Sequence, residues 1–321
     1  MTGTGRLKAL GTVLVALVLG TLLNAQAMLL TAKGLPFGWR RSVAVAVMDP
    51  VAQLSRALRL DVPRRELDRA LGHGPAPSPA PVPSPTPTGT PAPGPPPSPT
   101  PSPTPSVPTA QHPLRILTVG DSMAQAMGQS LITAAAATGV ARAELDFRFS
   151  SGLSRPDFFD WPGHLAGVLA GRDRPDALVV VFGANDAQGM ETSHGVLDFG
   201  TAAWDAEYAA RVAAVMRQVT AAGVRVYWVG QPVARSSSYS HRMAALDAIY
   251  RAQAARHEGV TYVDSWPLFT DSHGAYAAYL PTSSGLTLMR LPDGIHLTRA
   301  GGDRLARAVM AEVRQDWRLG P

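Results

Sequence analysis

A serine that could act as a nucleophile, Ser122, follows a short apolar run that begins at Leu114. The apolar run is typical of a buried strand, and the segment from Ala124 to Ala137 is typical of a helix. A serine between a strand and a helix lies at a helix N-terminus, where backbone N–H groups favour a developing negative charge. Ser122 is therefore a candidate nucleophile. The alternative is a helix cap, because Asp and Ser are common capping residues.

A possible base and its orienting acid stand close together near the end of the chain, at His296 and Asp293. A spacing of three residues lets one helical turn or compact loop bring both side chains to one side. The carboxylate could then hold one imidazole nitrogen while the other nitrogen takes the Ser122 proton. The alternatives are a structural histidine at a helix start and, for Thr298, a helix N-cap.

Donors for an oxyanion hole are also present in the sequence. The backbone N–H groups of Ser122 and Gly152 and the side-chain amide of Asn185 could together stabilise a tetrahedral intermediate. Each residue has a simpler explanation as well, since Gly183 suits a turn and Asn185 suits a loop cap. The hypothesis of a catalytic site depends on whether the fold brings these residues to one place.

The elements that must position these residues alternate along the chain. Strands are predicted over 114–119, 144–149, 177–182, 224–229 and 260–263. Helices are predicted over 123–138, 162–171, 205–222, 241–257 and 299–316. Such alternation predicts a parallel sheet with helices on both faces. Because ligands of these folds bind at the carboxyl ends of the strands, the small and polar residues after each strand should converge there.

Four short blocks in this order resemble those of the SGNH (GDSL-type) hydrolases. They are Gly120-Asp-Ser122, the isolated Gly152, Gly183-Ala-Asn-Asp186 and Asp293-Gly-Ile-His296. The resemblance covers roughly residues 114–318 and implies a flavodoxin-like three-layer α/β/α sandwich with a parallel five-stranded sheet. Further stretches resemble the DUF459 subgroup, namely Ser151–Asp157, Phe159–Pro162, Trp204–Tyr208 and Val263–Pro267.

The resemblance implies roles for five residues. Ser122 would be the nucleophile, His296 the base and Asp293 its orienter, while Gly152 and Asn185 would complete the oxyanion hole with the Ser122 N–H. Family activities include lipases, esterases, carbohydrate O-acetylesterases and acyltransferases, none of which implies a cofactor. Asp121 is expected to shape the turn and cap the helix that carries Ser122.

The substrate is expected to be an acyl ester, in the first place an O-acetyl group on a cell-envelope carbohydrate. Arg155 could hold an acidic substrate group or form a surface ion pair. Trp204 could stack on a sugar, as could Trp161, Tyr276 and Tyr279, although core packing is the ordinary role of such rings. The segments from Gln188 to Trp204 and from His273 to Arg290 are expected to form the walls of the site.

Three other functions remain open at this stage. An O-acyltransferase would use the same triad with a sugar hydroxyl as acceptor. A non-catalytic carbohydrate-binding or assembly module would keep the fold without the chemistry. A metal-dependent phosphoesterase would use Asp121, Asn185, Asp293 and His296 as ligands, although they do not resemble a two-metal carboxylate set.

The N-terminal segment, residues 1–33, predicts export of the chain. Arg6 and Lys8 precede a run from Ala9 to Leu30 that has no charged residue and is about long enough to span a bilayer. We expect an uncleaved anchor with the catalytic domain outside the cytoplasm. The alternative is a signal peptide cleaved after Ala25-Gln-Ala27, which would release a secreted protein.

Two segments separate this anchor from the domain, which is predicted over 113–321. Residues 34–71 suggest an amphipathic helical piece broken by Pro50 and Pro63, which could lie on the membrane surface, pack on the anchor or form a solvated stalk. Residues 72–112 are rich in Pro, Ser and Thr and predict a disordered, extended linker.

The charge distribution bears on possible partners. Residues 1–72 carry ten Lys and Arg and four Asp and Glu, whereas the remainder carries 19 and 20. The basic surplus therefore lies beside the apolar segment, which favours a membrane and gives no basic surface for nucleic acid. The absence of cysteine excludes disulfides and thiolate metal sites. We expect a monomeric catalytic domain without metal.

Overall fold

The structure, a computed structural model, describes residues 3–35, 38–60, 62 and 107–320. These residues belong to two compact units, one within residues 1–98 and the other within residues 99–321. The predicted linker lies outside the described residues except for 107–112, and so does Pro63.

The first unit begins with an apolar helix, α1 (Gly3–Gly34). Its 24 residues Gly11–Gly34 are long enough to cross a membrane and contain a window with a mean hydropathy of 2.1. A signal sequence near an N-terminus has the same properties. The helix therefore agrees with both predicted roles, an anchor and a cleaved signal.

A second helix, α2 (Trp39–Ala57), packs against the second half of α1. The Gln26 side chain donates a hydrogen bond to the Ala52 carbonyl at 2.8 Å, and the Ser55 hydroxyl donates to the Leu22 carbonyl at 2.7 Å. The prediction of a break at Pro50 was wrong, because α2 continues through it. A proline removes one backbone hydrogen bond of a helix. The two hydrogen bonds hold α2 on α1 after Pro50, and the partly buried Val45 and Met48 pack against α1 before it.

The second unit is built on a five-stranded parallel sheet. The strands of this unit are β1 (Leu114–Gly120), β2 (Ala141–Phe147), β3 (Ala177–Val181), β4 (Met190–Thr192), β5 (Gly195–Leu197), β6 (Arg225–Val229), β7 (Val260–Val263), β8 (Tyr279–Thr282) and β9 (Gly285–Leu288). The sheet has the order β2-β1-β3-β6-β7, with all neighbours parallel. This is the flavodoxin-like order, so the predicted fold is confirmed.

Helices cover both faces of the sheet and make three layers. They are α3 (Met123–Ala136), α4 (Trp161–Ala170), α5 (Ala202–Ala221), α6 (Ser237–Ala254) and α7 (Arg299–Trp317). One apolar core lies under α3 and α7, and a second lies under α4, α5 and α6. Strand β3 is buried along its whole length, which explains its uninterrupted Ala-Leu-Val-Val-Val sequence.

The structure differs from the sequence prediction mainly at the periphery. Strand β2 begins three residues earlier than predicted, because this edge strand is partly exposed and its apolar pattern is weak. Two antiparallel hairpins, β4–β5 and β8–β9, were not predicted. Their strands have only three or four residues each, too few for alternation to be visible.

Candidate active site

Ser122 lies at the N-cap position of α3, directly after β1. Its hydroxyl makes no capping hydrogen bond to the helix. The neighbouring Asp121 caps the helix instead, because its Oδ1 accepts a hydrogen bond from the Met123 N–H at 2.8 Å. The Ser122 hydroxyl is thus available to bond to a base, as the prediction of a nucleophilic serine requires.

That partner is His296. The His296 Nε2 lies 2.8 Å from the Ser122 Oγ, although the two residues are 174 positions apart in the chain. The other ring nitrogen, Nδ1, lies 2.7 Å from the Asp293 Oδ2. A hydroxyl, an imidazole and a carboxylate therefore form one continuous hydrogen-bonded chain. This arrangement can move a proton from the hydroxyl to the ring while the carboxylate stabilises the resulting charge.

The turn that carries Asp293 keeps its carboxylate ionised. Partial burial raises the pKa of this carboxylate. Hydrogen bonds from the Ile295 N–H, the His296 ring and the His296 N–H outweigh that effect and lower the pKa to about 2. A permanently charged carboxylate fixes the imidazole tautomer with its proton on Nδ1. Nε2 is then free to accept the Ser122 proton.

Candidate donors for an oxyanion follow the carboxyl ends of the neighbouring strands β1, β2 and β3. Within residues 107–320, the N–H groups of Ser122 and Gly152 have no hydrogen-bond acceptor. The Asn185 amide donates one hydrogen to the Ser151 carbonyl at 3.2 Å, which places it against the Ser151–Gly152 peptide and leaves its second hydrogen. Asp121 connects the turn after β1 with the loop that carries Asn185, since its Oδ2 accepts a hydrogen bond from the Ala184 N–H at 2.9 Å.

A buried aspartate, Asp186, supports this donor set from below. Its carboxylate accepts hydrogen bonds from the N–H groups of Leu153 and Ser154 at 3.1 and 2.8 Å and from the Tyr208 hydroxyl at 2.6 Å. A Cβ on Gly152 would meet Asp186 Oδ1 at 2.1 Å, so the position requires glycine. Asp186 and Tyr208 both lie within the motifs that carry the resemblance, but no role was predicted for either residue.

The two buried aspartates, Asp121 and Asp186, both have raised pKa values. Burial raises the pKa of Asp121 to about 7; the hydrogen bond from Met123 N–H opposes this shift, and the nearby Asp186 adds to it. Burial likewise raises the pKa of Asp186, against the hydrogen bond from Tyr208. Both carboxyls therefore hold protons to a higher pH than exposed aspartates do, unlike Asp293.

Two weaker predictions about substrate binding need correction. Trp204 is fully buried, stacks on Tyr208 with ring centroids 4.7 Å apart and donates its indole N–H to the Gln188 carbonyl. Arg155 is only 2% exposed and its guanidinium is paired with Asp157 at 2.9 Å. Both side chains are therefore occupied by contacts within the protein.

The other aromatic candidates divide between core and surface. Trp161 is fully buried and donates its indole N–H to the Ser151 hydroxyl, which supports the loop before Gly152. Tyr276 is partly buried, and Tyr279 is 54% exposed on β8. Of these rings, only Tyr279 offers most of its face to solvent.

The metal-dependent alternative has little support in the geometry. Among the residues described, no group of three or more His, Asp or Glu side chains is arranged to hold a metal ion. The Asp121 carboxylate accepts hydrogen bonds from backbone N–H groups. The Asp293 carboxylate is bonded to a backbone N–H group and to the His296 ring.

Comparison with known proteins identifies the family of the chain. A family model described as "Protein of unknown function (DUF459)" matches residues 115–312, more than half of the chain. The chain belongs to the DUF459 family. The matched range contains Ser122, Gly152, Asn185, Asp293 and His296, and the match confirms the predicted resemblance to DUF459.

Solved structures similar to this DUF459 protein have low sequence identity. A candidate SGNH hydrolase from Slackia heliotrinireducens is 19% identical, covers 63% of this chain and 99% of its own, and has a TM-score of 0.42. TesA is 21% identical, with coverages of 63% and 99% and a TM-score of 0.43. A variant of Axe2, an acetylxylan esterase from Geobacillus stearothermophilus, is 14% identical, with coverages of 64% and 95% and a TM-score of 0.42. No curated protein sequence matches the chain.

Proposed function

We propose that this DUF459 protein is a serine esterase that removes acyl groups, in the first place O-acetyl groups, from cell-envelope carbohydrate. The observation that carries the proposal is the hydrogen-bonded chain from Ser122 Oγ through His296 to Asp293. This series of hydrogen bonds supports a nucleophilic serine, because His296 can take the Ser122 proton on one ring nitrogen while Asp293 holds the other.

The proposed reaction has two steps. In the first, the Ser122 Oγ attacks the ester carbonyl, His296 takes the hydroxyl proton and returns it to the leaving sugar oxygen, and an acyl-serine forms. In the second, His296 takes a proton from water as the water oxygen attacks the acyl carbonyl; the bond from this carbon to Ser122 Oγ breaks, the acid leaves, and His296 returns the proton to Oγ. The oxyanion of both steps would accept hydrogen bonds from Ser122 N–H, Gly152 N–H and Asn185, of which one is typically worth about 3 kcal/mol.

The proposed place of action is outside the cytoplasm. An apolar helix stands at the N-terminal end, and a Pro-rich segment of about 40 residues precedes the domain. A domain exported in this way could work among wall polymers, which supports a carbohydrate ester as substrate.

The test uses the full-length protein in detergent micelles. A fluorophosphonate probe should label wild type and leave Ser122→Ala unlabelled, and acetylated polysaccharides should release acetate with wild type only. Labelling without acetate release from any polymer would keep the serine hydrolase and reject the acetyl-carbohydrate substrate. An unlabelled, folded wild-type protein would favour the non-catalytic module.

The same preparation distinguishes hydrolysis from transfer to a sugar. With an acyl donor and free sugar acceptors present, a hydrolase should release acid at a rate that the acceptor does not change. Formation of acylated sugar in place of acid would replace the esterase by the O-acyltransferase.

A further inference from the structure

A buried arginine, Arg290, directly precedes the loop that carries Asp293 and His296. This loop, residues 291–296, is called the catalytic loop below. Its two ends are joined, because Leu291 N–H donates to the His296 carbonyl at 2.8 Å and Arg290 forms a β-bridge with Leu297. Arg290 itself is only 1% exposed.

The guanidinium of Arg290 holds two backbone carbonyls. Its Nη1 donates to the Ile295 carbonyl at 2.6 Å, and its Nη2 donates to the carbonyl of Val233 in the segment after β6. One planar fork thus joins the catalytic loop to the carboxyl edge of the sheet. A planar guanidinium suits this task because its donors have fixed relative directions.

The Ile295 carbonyl is a sensitive point to hold. It belongs to the same peptide group as the His296 N–H, which donates to Asp293 Oδ1 at 3.0 Å. Arg290 therefore holds the oxygen side of this peptide and Asp293 its nitrogen side. The orientation of the peptide sets the direction in which the His296 side chain leaves the backbone, and so the position of Nε2 relative to Ser122.

Arg290 forms no salt bridge within the described residues, although the negative charge of Asp293 is near enough to act favourably on it. In the part of the chain that the structure describes, no carboxylate oxygen lies within 4.0 Å of its guanidinium. The guanidinium lies over two aromatic rings, with its carbon 5.0 Å from the centroid of Phe269 and 5.7 Å from that of Tyr276. Its Nε–H has no hydrogen-bond acceptor. Burying an unpaired cation is unfavourable, and an apolar side chain of similar length would fill this space without that cost.

We propose that Arg290 is a positioning residue of the catalytic loop, which sets the His296–Ser122 geometry through the Ile295 peptide. The proposal rests on the proposed serine hydrolase function and adds a residue to it. Lysine at this position would keep the charge and reach one carbonyl, whereas methionine would keep the length and reach neither. Small displacements of a reacting group cost about 10²-fold in rate, which sets the scale of the expected losses.

The experiment compares Arg290→Lys, Arg290→Met and a matched control in the full-length protein in detergent. The control is Arg251→Met, since Arg251 also lies over an aromatic ring, Tyr262 at 5.0 Å, but is exposed and paired with Asp264. We expect the rate of fluorophosphonate labelling to fall about 10-fold in Arg290→Lys and about 10²-fold in Arg290→Met. For ester turnover we expect the loss in kcat, with KM changed less than about 3-fold, and Arg251→Met within about 2-fold of wild type.

A purely structural role is separated by measuring Tm alongside these rates. Folded Arg290→Lys protein that labels within about 2-fold of wild type would overturn the proposal, and so would losses in labelling that follow only the unfolded fraction. If Arg290→Met does not fold, Arg290→Lys decides.

A readout that needs no activity separates this proposal from the proposed function. In the folded wild type, the Nδ1 proton of His296 bonded to Asp293 should give a downfield proton NMR signal, absent in Asp293→Asn. Displacement or loss of the signal in Arg290→Lys supports the positioning role even if no probe ever labels Ser122. An unchanged signal in Arg290→Lys would contradict it.

Discussion

Two His–Asp pairs in the same domain make nearly identical contacts and have different surroundings. His296 Nδ1 lies 2.7 Å from Asp293 Oδ2, and His164 Nε2 lies 2.6 Å from Asp146 Oδ2. Both pairs are partly exposed. A short imidazole–carboxylate contact is thus not by itself a catalytic feature, and the neighbours must decide what each pair can do.

The neighbours differ on both sides of each pair. His296 has the Ser122 hydroxyl on its second nitrogen, whereas the His164 ring packs against Phe159 and Trp161. Asp293 is bonded by backbone N–H groups of its own turn, whereas Asp146 is also paired with Arg148. An arginine neutralises a carboxylate and leaves it less able to stabilise an imidazolium. The Asp146–His164 pair therefore joins β2 to α4 and lacks a nucleophile.

The largest effect should come from removing the group that only the first pair possesses. Ser122→Ala should lower ester hydrolysis by at least about 10⁴-fold, because no acyl-enzyme can form. Ser130→Ala, in the same helix α3, is the control and should stay within about 3-fold of wild type. Initial rates with a chromogenic acyl ester test both; substantial turnover by Ser122→Ala would rule out the nucleophile.

The next effect compares the two histidines directly. His296→Gln should reduce hydrolysis at least about 10³-fold, since the proton acceptor is lost, whereas His164→Gln should change it less than about 3-fold. Rates are read at a temperature at which thermal unfolding shows all proteins to be folded. Equal losses in the two variants would remove the distinction drawn between the pairs.

The two aspartates should differ by a smaller factor. Asp293→Asn should cost about 10²- to 10⁴-fold in kcat, because the amide no longer stabilises the imidazolium and can select the wrong tautomer. Asp146→Asn should leave kcat within about 3-fold and act on thermal stability instead. A loss in Asp146→Asn that matches the loss in Asp293→Asn would show that the second pair also supports the reaction.

The smallest expected effect is the pH dependence of stability. The folded pKa of Asp293, about 2, is below the ordinary value of 3.8, so its ionised form stabilises the fold above pH 3.8 and this contribution is lost as pH falls towards 2. Wild type should exceed Asp293→Asn in Tm by about 1–3 °C at pH 6, a small gain because the side chain is 44% exposed. The difference should shrink between pH 4 and 2; a constant difference would show that the carboxylate charge contributes nothing.

Much of the fold follows from local pattern. Strand β3 and helix α3 are recognisable from apolar runs and from the turn at Gly120-Asp-Ser122, and the alternation of elements predicts the parallel sheet. The edge strand β2 and the hairpins escape this reasoning, because partial exposure and short length leave no clear period. Pro50 was misread because contacts between α1 and α2 outweigh one lost helix hydrogen bond.

The candidate site is divided in the same way. Side-chain chemistry and spacing single out Ser122, Gly152, Asn185, Asp293 and His296 in the sequence. The same reasoning misplaces Trp204 and Arg155, because an aromatic or charged residue in a motif looks the same whether it faces a substrate or a buried partner. The same reasoning does not find Asp186 and Arg290, since their roles depend on burial and on backbone groups of other segments, such as Ser154 for Asp186 and Val233 for Arg290.

The sequence alone determined the order of elements, the apolar N-terminal segment and the residue types of a serine triad, because these depend on local periodicity and side-chain chemistry. Only the tertiary structure decided that the Ser122 hydroxyl meets His296 across 174 positions rather than capping α3, and that Asp121 does the capping. It also distinguished the Asp293–His296 pair from the Asp146–His164 pair. The physical reason is that burial, hydrogen-bond partners and charge neutralisation arise between segments that only the folded chain brings together.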